Sequence, residues 1–299
     1  MASKAQVVPG ISISGNYSLF VEKCFYRLLR LLRPLLNPLG IGIGYDRYSK
    51  TLSVYSLRQD KKNYEHLKNL RCLNLGAGGF VHRRWLNFDY PGESPYYRAV
   101  QGRAGVDFQP LDLRESMPNL EPGSVGLIYM SHTLEHLTFQ TANQVLSSCN
   151  TLLVAGGCLR VVVPDVKRLF DYSKIARSEV ARTGFFDVRE LAFLTYSPST
   201  LLETATLHAV FDEAETFEVF AARLLSEVDE TKAFDAGACS PDYHLSFWSP
   251  EGLAGAAAEV GYSNVRFGLK NDSFAAAFGN KWVFDTTVPE ISLYCDFIK

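Results

Sequence analysis

The chain has 299 residues, 47% hydrophobic and 21% charged, with a formal net charge of −2, a pI near 6.3 and a mean hydropathy of −0.03. That balance describes a globular protein with a substantial core, and the lack of a basic field argues against nucleic acid as a partner. No uncharged apolar run reaches the roughly 18 residues of a bilayer span, and Cys24, Cys72, Cys149, Cys158, Cys239 and Cys295 lie scattered, mostly in apolar runs, as buried thiols of a reducing, cytoplasmic setting do.

In chain order, residues 1–16 are mixed and polar, with no apolar stretch leading to a small-residue cleavage site, so no secretion signal is expected. Ser18–Gly42 then places Phe20, Cys24, Leu28, Leu31, Leu32 and Leu35 at helical spacing, with Lys23, Arg27, Arg30 and Arg33 on the other side and Pro34 as a kink or stop. Two readings stay open: peripheral contact of residues 18–42 with an anionic membrane, at the inner face of a cell membrane, or a helix that covers the protein's own body. Gly40–Ser49 reads as a loop and Asp60–Asn69 as a polar helix or linker.

The organised part begins with "LRCLNLGAGG", an apolar strand over Leu70–Leu75 that breaks at Gly76, Gly78 and Gly79. "RWLNFDY" alternates as a strand ending near Asp89, "GVDFQPLDLRE" offers a strand finishing at Asp112, and "SVGLIYMS" one finishing at Ser131. From Thr141 the period becomes helical through Val145, Leu146, Cys149, Leu152 and Leu153, with Thr141 and Gln144 as a capping box and Gly156-Gly157 as the stop. "CLRVVVPD" follows as a fifth strand, apolar as a strand buried on both faces is. Alternation of this kind predicts a doubly wound α/β sheet. The helical stretch Val166–Asp242 interrupts it as an inserted cap. The helix of "SPEGLAGAAAEVGYSNVRFGL" with its strand, and a last strand in "EISLYCDFIK", resume it. The expected division is therefore an arm (1–60), a core (61–165 and 243–299) and a helical cap (166–242).

A strand running into Gly76-Ala77-Gly78-Gly79 can bring backbone N–H groups close to a ligand. The dinucleotide fingerprint G-x-G-x-x-G is incomplete, since Val81 stands at its third glycine, and Asp89 follows too soon for such a site. A ligand without a pyrophosphate fits better.

Taken together, "LNLGAGG", "WLNFDY", "LDLRESMP", "GLIYMSHTLEHL" and "LLVAGGCLRVVVPD", in this order, resemble the class I S-adenosylmethionine-dependent methyltransferases. The closest likeness is to a small bacterial branch with S-H-x-L-E-H after the fourth strand, and "YHLSFWSPEGLAGAAAEVGY" and "SLYCDFIK" resemble its closing elements. The likeness covers about Leu70–Asp165 and Tyr243–Lys299, not the arm or the cap. It implies a Rossmann-like, mostly parallel seven-stranded sheet and S-adenosyl-L-methionine as cofactor. It also implies that Gly76 and Gly78 form the turn beneath the cofactor's amino-acid part, that Asn74 and Ala77 belong to the cofactor-binding set, that Asp89 accepts the ribose hydroxyls, and that Asp112 and the backbone of Leu113 meet the adenine. Met130 and Ser131 would adjoin the methionine portion. Asn74, Gly126 and Ala155 depart from residues common in the wider class, the first of them in a way frequent in this branch.

"HTLEH" also has the H-x-x-E-H spacing of a zinc peptidase class, but residues before His132 read as strand and the helix as starting at Thr141, so a zinc hydrolase is the minor alternative. Methyl transfer to a hydroxyl profits from a base, for which His132, His136, His244 and Asp165 are candidates, Asp165 also as a metal ligand; Glu135 and His136 have a plainer reading as residues tying the junction to backbone groups. His66, His82 and His208 read as surface or structural. No metal site is expected. The expected function is methylation of a sugar or small metabolite on oxygen, since members resembling this branch are often tied to surface-glycan synthesis. A small-molecule or glycan acceptor would be the partner, and the rival from another class is a cofactor-binding module without catalysis.

Overall fold

A computed structural model describes residues 11–12, 41–46, 51–56, 70–78, 85–91, 108–173, 216–226, 244–279, 284–285 and 292–299, with six positions between 28 and 39. The expected linker over Asp60–Asn69, Gly79 and much of the cap lie outside them, as do Cys24, Cys239, His66, His82 and His208.

Two sheets form. The small one is antiparallel in the order β1-β3-β2, from β1 (Ile11–Ser12), β2 (Ile41–Asp46) and β3 (Thr51–Ser56). β2 corrects the expected loop over Gly40–Ser49. Its glycines suggested a turn, yet Gly42 and Gly44 alternate with Ile41, Ile43 and Tyr45 in the two-residue period of a strand. Leu28, Leu31 and Leu35 are helical, and together with Leu39 they turn between 49% and 70% of their surface to solvent.

The large sheet has seven strands in the order β6-β5-β4-β7-β8-β10-β9. These are β4 (Arg71–Leu75), β5 (Leu86–Asp89), β6 (Phe108–Pro110), β7 (Val125–Ser131), β8 (Leu153–Pro164), β9 (Asn264–Gly268) and β10 (Ser292–Ile298). β6, β5, β4, β7 and β8 pair in parallel, while β10 pairs antiparallel with both β8 and β9. This is the Rossmann-like, mostly parallel doubly wound sheet expected. Chain order runs from β4 outward through β5 to β6 in one direction and from β7 to β8 in the other, so the order reverses between β4 and β7.

Leu159, Val161 and Val163 of β8 join Ile128 and Met130 of β7 in one core, and α1 (Phe139–Leu152) covers it with Ala142, Val145, Leu146, Cys149 and Leu152. α1 starts two residues earlier than Thr141. Thr138 is its cap, and the Thr138 hydroxyl accepts the Thr141 N–H at 3.1 Å. α1 gives way directly to β8 at Leu153, so Gly156-Gly157 lies inside the strand, not at a helix stop. α2 (Val166–Ser173) and α3 (Phe217–Ser226) meet through Phe170 and Phe220, ring centroids 5.2 Å apart. α4 (Pro250–Glu259) starts at the Ser249 cap and buries Leu253, Ala256 and Ala257 in the core that α1 covers.

The opposite sheet face holds Leu127, Tyr129, Cys158, Val162 and Tyr294 under Ala275, Phe278 and Phe284. Arg160 of β8 is fully buried here. Its Nη1 donates to Asp296 at 2.9 Å and its Nη2 to Asp285 at 2.5 Å, with further bonds to the carbonyls of Leu269 and Asp272. Cys149 and Cys158 are buried free thiols, and Cys295 is buried as well. No helix among the described residues is long and apolar enough to cross a membrane.

Candidate functional site

β4 and β7 release their chains at the same edge of the sheet, on either side of the reversal. After β4, Gly76 and Gly78 take φ of +67° and +50°, values that glycine reaches without strain. Gly76 also has no space for a side chain, because an added Cβ would lie 2.0 Å from Oγ1 of Thr133. That hydroxyl is 3.3 Å from the carbonyls of both Leu75 and Ser131. The turn after β4 is thus tied to the turn after β7.

Asp89 closes the third side from the end of β5. It is 7% exposed; its Oδ2 accepts the Gly78 N–H at 2.7 Å and its Oδ1 the Tyr90 N–H at 2.8 Å. Burial pushes its carboxyl above the usual value, and the N–H groups of Tyr90 and Gly78 and the charge of His136 pull it back. Each oxygen keeps a lone pair for a ligand hydroxyl. Ala77 is held by its N–H to the Phe88 carbonyl at 2.9 Å, and the Leu111 N–H reaches the Asp89 carbonyl at 2.7 Å.

Farther out, Asp112 accepts Nε of Arg114 at 2.9 Å and Nη2 at 2.5 Å. Burial alone would raise its carboxyl, but the Arg114 side chain and N–H bring it below the usual range. A ligand amino group at Asp112 would share the carboxylate with Arg114. Leu113 is half-buried beside it, while Met130 is buried and Ser131 half-buried at the end of β7. Asn74 spends its amide on Asn87 across the β4–β5 pair, at 3.1 Å.

Beyond β7 the chain makes a second cluster. His132 is left-handed at φ +52°, an uncommon state for a side-chain-bearing residue and one met often at functional sites. Leu134–His136 is a 3₁₀ turn and α1 begins only at Phe139, so the two histidines of H-x-x-E-H do not share an α-helix face as in the peptidase arrangement. Glu135 is 1% exposed, with Oε1 3.0 Å from Nδ1 of His132. Burial raises its carboxyl, and the charge of His132, then that of His136, outweighs that and keeps it below the usual value.

Residues 244–246 complete this cluster. N–H groups of Leu245 and Ser246 donate to the Glu135 carbonyl at 2.7 and 3.1 Å, and the Ser246 hydroxyl to the Leu134 carbonyl at 3.1 Å. It is therefore the Glu135 backbone, and not its side chain, that ties the junction. His244 is set against His136 with ring centroids 4.9 Å apart. Burial, then the charge of His136, draws His244 down to about 3, a neutral imidazole. Asp165 is buried and its Oδ1 accepts the Arg168 N–H at 2.9 Å, which caps α2.

Thr133 was not marked by the sequence, although its place inside S-H-T-L-E-H opposite a glycine turn is the available signal. Nor was Glu135 placed among three histidines.

No family model matches the chain, and no curated protein does. Among solved structures, it is similar to a SAM-dependent methyltransferase from Archaeoglobus fulgidus at 13% identity, covering 81% of this chain and 92% of that one with a TM-score of 0.40. A SAM-dependent methyltransferase from Mesorhizobium loti matches at 12% identity over 81% and 97% of the two chains, TM-score 0.38. One from Thermotoga maritima, described as a possible histamine N-methyltransferase, matches at 12% over 94% and 98%, TM-score 0.38.

Proposed function

We propose that the chain is an S-adenosylmethionine-dependent methyltransferase of the bacterial S-H-x-L-E-H branch, acting on an oxygen of a sugar or small metabolite. The observation that supports this most is the coupling at the strand-order reversal, where a side-chain-free Gly76 fits under Thr133 and the Gly78 N–H is locked to the Asp89 carboxylate. The residues fit the cofactor. Gly76–Gly78 offer backbone at close approach, Asp89 offers paired acceptors for ribose hydroxyls, and Leu113 with Ser131 gives an apolar and a polar flank.

Bound there, the cofactor supplies a methyl group on a sulfonium that is already a good leaving group, so no covalent nucleophile is needed. The chain's own work is positioning, exclusion of water and movement of one proton. A proton on Nδ1 of His132 shared with Oε1 of Glu135 leaves Nε2 as the acceptor for an incoming hydroxyl's proton, with the carboxylate steadying the imidazolium that results. The exposed leucines at 28, 31, 35 and 39 support attachment of residues 18–42 to an anionic membrane; co-sedimentation with anionic vesicles, abolished by Leu31→Ser with Leu35→Ser, tests that part.

For the function itself, thermal unfolding should rise with S-adenosylmethionine and not with NAD or ATP. An equal rise with NAD would overturn the reading.

A further inference from the structure

The cluster beyond β7 has the composition of a metal site. One ligand atom each from Glu135, His136 and His244 lie within 4.8 Å of one another. Ligands on a tetrahedral ion with bonds of about 2.1 Å stand about 3.4 Å apart, so side-chain rotations that draw the atoms together by roughly 1 Å close the set. An independent observation points the same way. Glu135 is 1% exposed, its Oε1 faces His132, and no donor among the described residues reaches its Oε2. A carboxylate oxygen left so deep without a donor is costly unless a cation meets it.

We propose that Glu135, His136 and His244 bind one divalent transition-metal ion of the zinc type. Two imidazoles and one carboxylate suit such an ion and not magnesium or calcium, which prefer oxygen ligands alone. The site differs from the peptidase reading of H-x-x-E-H, because Glu135 is a ligand here and the second histidine, His244, comes from outside the pentad.

The framework for such an ion is built without it. Glu135 and His136 sit on the 3₁₀ turn, and the Leu245 and Ser246 N–H bonds to the Glu135 carbonyl bring His244 to that turn. His132 on Oε1 of Glu135 is the kind of outer partner that orients a ligating carboxylate. Three protein donors leave positions on the ion open to water or an acceptor oxygen. An acceptor oxygen taken up on the ion rests on the methyltransferase reading; the presence of the ion does not.

The test is calorimetric titration of untagged, chelator-treated full-length protein with zinc chloride, run beside titration with S-adenosylhomocysteine. The parent should take up one equivalent of zinc. His136→Ala, whose side chain is only half-buried, and His244→Ala should each bind it at least about 100-fold more weakly, the upper end of what loss of an outer partner alone costs, while keeping the parent's circular dichroism. Should His244→Ala fail to fold, His136→Ala decides alone. Asp89→Ala should keep the zinc equivalent and lose the nucleoside. No zinc uptake by the parent, or equal uptake by parent and His136→Ala, overturns the metal site even if S-adenosylhomocysteine binds. Zinc uptake without S-adenosylhomocysteine binding leaves the site standing and overturns the proposed function.

Discussion

The Gly78 N–H donates to Oδ2 of Asp89 at 2.7 Å, which joins the turn after β4 to the end of β5. Asp89→Asn keeps the shape and removes the charge and one acceptor. Affinity for S-adenosylhomocysteine should fall roughly 10- to 100-fold, as loss of charge-assisted hydrogen bonds does. Equilibrium binding on the variant checks it, and unchanged affinity would remove Asp89 from the ribose site.

Gly76→Ala should destabilise the protein by about 1–3 kcal/mol from the left-handed backbone alone, with more from contact with Thr133. Adding Thr133→Ala removes the contacts at 2.0 and 2.5 Å but leaves the Cβ at 2.8 Å. The double variant should therefore recover part of the loss, and urea unfolding of the two singles and the double measures the coupling.

The strands that form the crevice are legible because parallel strands buried on both faces read as apolar runs, and each ends in a residue that cannot continue the run: Gly76, Asp89, Ser131. β2 was hidden because two glycines outweighed the alternation of Ile41, Ile43 and Tyr45. Arg160 was hidden by the same logic in reverse, as one charge in "CLRVVVP" whose partners Asp285 and Asp296 stand 125 and 136 positions away. His244 is brought to Glu135, more than 100 positions earlier in the chain, with the N–H bonds of Leu245 and Ser246 to the Glu135 carbonyl. Local patterns report burial and strand ends, and pairing across such distances is settled by the sheet.

Arg160→Met should cost about 3–5 kcal/mol, because it leaves Asp285 and Asp296 buried without their cation. Combining it with Asp285→Asn and Asp296→Asn should restore a large part. The urea midpoints of the single and triple variants give the comparison.

Thr138→Ala should destabilise by about 1 kcal/mol through loss of the α1 cap. Thr141→Ala removes a hydroxyl that bonds the cap residue at 3.1 Å but leaves the capped N–H in place, so its effect should be smaller. Equal effects, measured by thermal unfolding, would move the helix start back to Thr141.

The central claim is that the reversal between β4 and β7 holds an adenosyl group against Asp89. Calorimetric titration of the parent and of Asp89→Ala with S-adenosylhomocysteine tests it most directly. The account predicts one-to-one binding heat in the parent and its loss in the variant. Absence of heat in the parent, or equal heat in both, would contradict it.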